Sequence, residues 1–150
     1  MTDLQTTRNL VQQYWDAFNQ GNMAAAAGFF AEDARNHGRP VGRKGVLAVM
    51  KDIQETFPDV RFTPLEFVVE GEWVSVRGTF SGTHRGIGRL PVNGGMLVGV
   101  QPTGRHFEVQ HIHMLQVHDG KIVEHFANRD DLGMMQQLGL LPGPGSGAKH

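Results

Sequence analysis

The 150-residue sequence contains no cysteine, which excludes disulfides, thiolate nucleophiles and sulfur-ligated zinc. Aromatic residues other than phenylalanine are scarce, with one tyrosine and two tryptophans. No apolar stretch approaches the roughly 18 residues of a membrane span, and the first ten residues hold Asp3 and Arg8 where a secretory leader would be apolar. An excess of either charge is also missing. Lys and Arg number 14 against 15 Asp and Glu, for a net charge of -1, with no basic run able to follow a phosphate backbone. Neither nucleic acid nor a membrane is therefore expected as a partner, and a cytoplasmic location is expected. Phosphate-binding glycine loops, GxGxxG, HExxH and GxSxG are absent as well. The expectation is an absence of metal and organic cofactor.

What remains is one chain with 39% hydrophobic residues, the size of a single domain. Folding at this length buries roughly 68–70% of the unfolded surface, enough for a core without covalent staples. One domain is expected over residues 1–141, with 142–150 as a Gly/Pro-rich tail. The unusual content is histidine. There are eight, five of them between His106 and His125.

In the N-terminal part, Leu4, Val11, Tyr14, Trp15 and Phe18 recur at helical spacing up to Gly21. Asn22 reads as the cap of a short alanine-rich helix running through Phe29 and Phe30, followed by a polar loop with Asn36 and His37. Val46, Val49, Met50, Ile53 and Phe57 predict a third helix, stopped by Pro58. From Pro64 the period changes to two, predicting strands over 65–70, 72–83, 107–118 and 121–128. Helices segregated from strands argue for an α+β fold with three N-terminal helices on a curved antiparallel sheet. Segment 82–104, with seven glycines and two prolines, reads as a long mobile connection near a pocket mouth. Pro102-Thr103-Gly104 within it is a turn by composition. A last helical turn or two is expected over 130–138, capped by the Asp130-Asp131 pair.

Almost strict alternation between Phe107 and His118 places Phe107, Val109, His111, His113, Leu115 and Val117 on one face. A three-residue loop with Gly120 left-handed would pair Leu115 with Val123, His113 with His125 and His111 with Ala127. Three imidazoles would then cluster inside. The other face would carry Ile112, Met114, Ile122 and Phe126, apolar enough to predict a homodimer through the outer sheet face. Three readings of the histidines stay open: hydrogen-bonded core residues, neutral bases or donors at a pocket floor, or a metal set built from His111, His113 and His125. Tyr14 is either a core aromatic or a phenol donating to a substrate oxygen. Asn36 and His37 serve either as turn residues or at a pocket edge.

The strings YWDAFNQGN, FFAEDARNHG, GTHRG, PTGRHF and HDGKIVEHFANRDDLGMMQQLG, in that order, resemble the SnoaL-like polyketide cyclase family of the nuclear transport factor 2-like superfamily. The resemblance spans residues 7–139 and implies a cone-shaped α+β barrel with a deep apolar pocket. It also implies a cofactor-free intramolecular aldol reaction, with the family's catalytic histidine at His113. The family's acid/base aspartate falls on Ala127. In the related ketosteroid isomerases a catalytic tyrosine matches Tyr14, a second acid matches His113, and the base aspartate falls on Gly38.

The leading expectation is proton abstraction next to a carbonyl, giving cyclisation or isomerisation of a small apolar carbonyl-containing ligand. His113 would be the base, with Tyr14 and Asn36 or His37 at the oxyanion. His111 and His125 would orient His113 or shuttle its proton. Phe18, Met50, Phe57, Val76, Val109 and Ala127 would shape the pocket. A non-catalytic binding or dimeric interaction protein is the main alternative, and a histidine-metal enzyme the third.

Overall fold

The computed structural model describes residues 3–91 and 95–143. Helix α1 (Asp3–Asn19) buries Val11, Tyr14, Trp15 and Phe18 of the stripe that its spacing predicts, while Leu4, in its first turn, is exposed. Its last residue latches the helix to the sheet. Asn19 Nδ2 donates to the Phe62 carbonyl at 2.7 Å and Asn19 Oδ1 accepts from the Phe62 N–H at 2.8 Å. The short α2 (Met23–Gly28) starts at Asn22, whose side chain accepts from Ala25 N–H at 3.0 Å.

The chain then departs from expectation. Residues read as the end of α2 and a polar loop form strand β1 (Phe30–Asn36), followed by β2 (Arg39–Pro40). Only Phe30 and Ala34 of β1 are buried, too sparse a pattern to register as alternation. Pairing decides the strand: β1 lies parallel to β6, with Asn36 opposite His125. A two-residue turn reverses it, His37 and Gly38 having φ of 51° and 76°, the sign that type I′ hairpins need.

Helix α3 (Gly42–Thr56) precedes β3 (Arg61–Glu70), β4 (Trp73–Thr83), β5 (His106–His118), β6 (Lys121–Arg129) and a closing α4 (Asp131–Gln137). Asp130 caps α4, accepting from Gly133 N–H at 2.8 Å. The six strands run in the order β2-β1-β6-β5-β4-β3, antiparallel except for β1 against β6. The sheet is curved and open. The architecture is the expected α+β class, although the strands do not close into a barrel.

The β5–β6 register is shifted from the sequence-based one. His113 faces Ala127, Leu115 faces His125 and His111 faces Arg129. Two local features explain this. The turn is a two-residue one, with Asp119 and Gly120 at φ of 48° and 73°, and a bulge follows between Gln116 and Val117. Because a bulge resets which side chains point inward, Ile122 before it is fully buried while Phe126 after it is exposed. Ile122 therefore does not belong to the outer apolar face. Ile112, Met114 and Phe126 do.

The glycine-rich connection is held down over its described parts. Arg85 and Gly86 N–H groups both bond to the Thr56 carbonyl at 3.1 Å, at the end of α3. The buried Asp52 carboxylate on α3 accepts from Arg89 N–H at 2.9 Å and Leu90 N–H at 3.2 Å. Gly86 makes this approach possible, since a Cβ there would sit 1.9 Å from the Glu55 carbonyl oxygen. The GTHRG and PTGRHF strings meet at the base of this strap. His84 N–H bonds to the Arg105 carbonyl and Gly104 N–H to the His84 carbonyl, both at 2.9 Å. Among the described residues no helix is long and apolar enough to cross a membrane. Of the expected tail, residues 144–150 lie outside the described residues.

Candidate active site

Between the helices, the strap and the concave side of the sheet lies a cavity of about 240 Å³. Tyr14, Trp15 and Phe18 line it from α1, and Val46, Val49, Met50 and Ile53 from α3. Phe57 and Phe80 also face it, while Gly88, Leu90 and Leu97 of the strap close one side. The polar side chains are few: Asn36, His37, His111, His113, His125 and Arg129 gather at the sheet, with Tyr14 on α1 and Thr56 at the end of α3. Three expected wall residues are elsewhere. Val76, Val109 and Ala127 are buried but do not line the cavity. Val76 and Ala127 flank His113 in the ladder and Val109 faces Phe80, and it is those larger rings that reach the open space.

The three imidazoles stand in file. His111 Nδ1 lies 3.2 Å from His113 Nε2, His113 Nδ1 lies 2.8 Å from His125 Nε2, and His125 Nδ1 lies 2.8 Å from Asn36 Oδ1. Both nitrogens of His113 are thus occupied by other histidines. Parity on β5 sets His111 beside His113, the β6 bulge brings His125 to the same side, and parallel β1 delivers Asn36 to its far end. The rings bond to one another instead of converging on a point. Among the described residues no group of three or more His, Asp or Glu is placed to hold a metal ion.

Apolar rings pack around the file. His111 stacks on Phe80 with centroids 4.3 Å apart and planes within 6°. His113 meets Trp15 edge-on at 4.8 Å and Phe62 at 5.0 Å. Burial here penalises the charged imidazole. It lowers His111 to about 3, helped by the Arg129 cation and by His125. The same burial, with His37 and Arg129 adding to it, lowers His125 to about 3. His113 is held well below its ordinary value, first by burial and then by its histidine neighbours and Arg129. All three are neutral near pH 7.

Tyr14 is buried on the cavity wall, and burial raises its phenol pKa, so it stays a proton-bearing donor. His37 sits exposed at the rim, its Nε2 accepting from Ala127 N–H at 3.1 Å. Asn36 and His37 are therefore engaged with the histidine file and with β6.

Sequence reasoning missed Arg129. It faces His111 across the ladder, lines the cavity and pairs with Asp131 at 3.5 Å. Parity was the available signal, since Arg129 lies two residues beyond Ala127 and four beyond His125 on one strand.

A model of the SnoaL-like polyketide cyclase family matches residues 8–138. The chain is 30% identical over 129 residues to a nogalonic acid methyl ester cyclase of Streptomyces nogalater, covering 82% of this chain and 90% of that one. It is 29% identical over 143 residues to the aklanonic acid methyl ester cyclase DnrD of Streptomyces peucetius, covering 91% and 92%. Among solved structures, wild-type IdmH of Streptomyces antibioticus superposes with a TM-score of 0.71 at 32% identity, over 89% of this chain and 98% of that one. By fold, by sequence and by the strings that carry the likeness, the chain belongs to the SnoaL-like polyketide cyclase family.

Proposed function

We propose that this protein is a cofactor-free acid–base enzyme that removes a proton next to a carbonyl of an apolar small molecule. The enolate then attacks a second carbonyl of the same molecule, closing a ring, or is reprotonated at another carbon. In the aldol case the proton returns to the alkoxide, so the reaction needs no co-reactant. The observation that carries this reading is the file of buried neutral imidazoles opening on an otherwise apolar cavity. The file, with His113 in its middle, supplies the base through one of its imidazoles. Tyr14 and Arg129 face the same space and supply a donor and a positive charge for the developing oxyanion. One such donor in a site closed to water contributes about 3–4 kcal/mol to the transition state. The relatives named as methyl ester cyclases support a substrate that carries a methyl ester and is closed into a ring.

The test uses aklanonic acid methyl ester and nogalonic acid methyl ester as substrates. Ring closure by the wild type is expected, and Tyr14→Phe and His113→Gln should each lower kcat by about a hundredfold or more with little change in thermal midpoint. Unchanged turnover in both variants would sink the mechanism. A second reading, a ligand-binding protein without turnover, is favoured by Ala127, where the family carries its acid/base aspartate. Solvent deuterium exchange into a bound ketone separates the two, because a binder gives no exchange above the buffer rate.

A further inference from the structure

The histidine file has a direction, and Asn36 sets it. An amide oxygen carries no proton and can only accept. With Asn36 Oδ1 facing His125 Nδ1 at 2.8 Å, that nitrogen must hold the hydrogen. A neutral imidazole has one N–H, so His125 Nε2 is a lone pair. It faces His113 Nδ1 at 2.8 Å, which must then be the donor. The same step repeats once more. His113 Nε2 becomes the acceptor, 3.2 Å from His111 Nδ1, and the hydrogen of His111 is fixed on Nδ1.

We infer that Asn36 polarises the file so that His111 Nε2 is its one ring lone pair not used within the file, and that this atom, not a nitrogen of His113, takes the substrate proton. The catalytic half of this inference rests on the acid–base reading above; the polarity of the file does not. His113 is tied at both nitrogens and acts as a positioning residue and relay. Its ring holds His111 by accepting the Nδ1 hydrogen, and Phe80 fixes the plane of His111 by stacking at 4.3 Å. Arg129, across the ladder from His111, places a cation beside the point where the substrate anion forms.

The file also accounts for the charge. When His111 Nε2 takes a proton, its Nδ1 hydrogen can pass to His113 Nε2, and the His113 Nδ1 hydrogen to His125 Nε2. One positive charge then rests on His125, which keeps its Nδ1 hydrogen and goes on donating it to Asn36 Oδ1. Two N–H bonds break and two form within the file, no net proton is lost, and the reverse shift restores the hydrogens when the alkoxide reclaims its proton. This route runs the charge away from Arg129, the nearest cation to His111 on β6.

The polarity is read directly in the resting protein. Long-range proton–nitrogen correlation spectra of 15N-histidine-labelled protein, assigned with single substitutions, are expected to show His111, His113 and His125 all as the Nδ1–H tautomer. Any of the three as the Nε2–H tautomer overturns the inference. Asn36→Asp, also an acceptor, should keep the pattern. Asn36→Leu should release it into a mixture of tautomers at His111, and an unchanged pattern overturns the role of Asn36. For the catalytic half, His111→Asn keeps a donor near the Nδ1 position and removes Nε2. It is expected to lower kcat at least a hundredfold while His113 and His125 keep their tautomers, and a retained kcat overturns the assignment. If the wild type itself turns nothing over, the acid–base reading fails, and the polarity still stands or falls on the spectra.

Discussion

Burial fixes the charge of His111, His113 and His125, and at the scale of single residues that makes acid the lever on this protein. In an unfolded chain a histidine titrates near 6.5, whereas His111 and His125 titrate at about 3 when folded. Between those values the unfolded chain binds more protons, so stability rises with pH. It is complete above about 6.5 and is lost as pH falls toward 3. Each such histidine contributes about 1.4 kcal/mol per pH unit in that window. Urea unfolding at pH 7 and pH 5 should therefore show a loss of about 2 kcal/mol for each of these histidines. His118 titrates the other way. Its hydrogen bond to Glu72, with Asp119 adding to it, raises its pKa, and as an exposed surface group it does not reverse the trend. A stability that stays flat between pH 7 and 5 would mean that the file is not buried as described. On the acid–base function proposed above, the same low values predict a kcat/KM without a histidine inflection between pH 6 and 7.

At the scale of elements, the junction of α3 with the strap decides whether the cavity has a wall. Asp52 accepts two backbone N–H groups of the strap from a buried position. Asp52→Ala leaves both donors without their acceptor, a loss of about 1–3 kcal/mol, measurable by chemical denaturation. The amide of Leu90 should exchange with solvent faster in the variant. Asp52→Asn keeps an acceptor and should lose less. Nothing in the sequence marks this clip, since an aspartate inside a helix reads as a solvated polar position. The stripes of α1 and α3 and the alternation of β5 were legible because their burial is periodic. β1 was not, because its strand character comes from pairing with β6 and only Phe30 and Ala34 of its residues turn inward. The histidine cluster was legible from parity, yet its register was not, since the bulge after the Asp119-Gly120 turn depends on backbone geometry that residue identity does not reveal. Arg129 escaped notice for a different reason. An arginine at the last position of a strand reads as a solvated end, and only the observed register sets Arg129 opposite His111.

At the scale of the whole molecule, the sheet has one covered face and one bare one. Helices, strap and cavity all lie against the concave side, while on the other side Val68, Ile112, Met114 and Phe126 remain 66%, 40%, 43% and 37% exposed. Trp73 extends this apolar surface, with its ring 6.3 Å from that of Phe126. A contiguous apolar patch on a sheet is a recurrent site of self-association, and the expected occupant is the same face of a second copy. Met114 is the residue with which to test it. It sits one position from His113 on β5 and so points away from the cavity, which lets a charge be introduced there without touching the site. Sedimentation equilibrium of the wild type at tens of micromolar is expected to give a dimer, and Met114→Glu a monomer. A wild-type monomer at these concentrations would remove the proposal. In the variant, the histidine tautomers and turnover should be unchanged, because the backbone of β5 separates the two faces. If turnover falls together with the dimer, the interface would instead be holding the curvature of the sheet on which the file of His111, His113 and His125 depends.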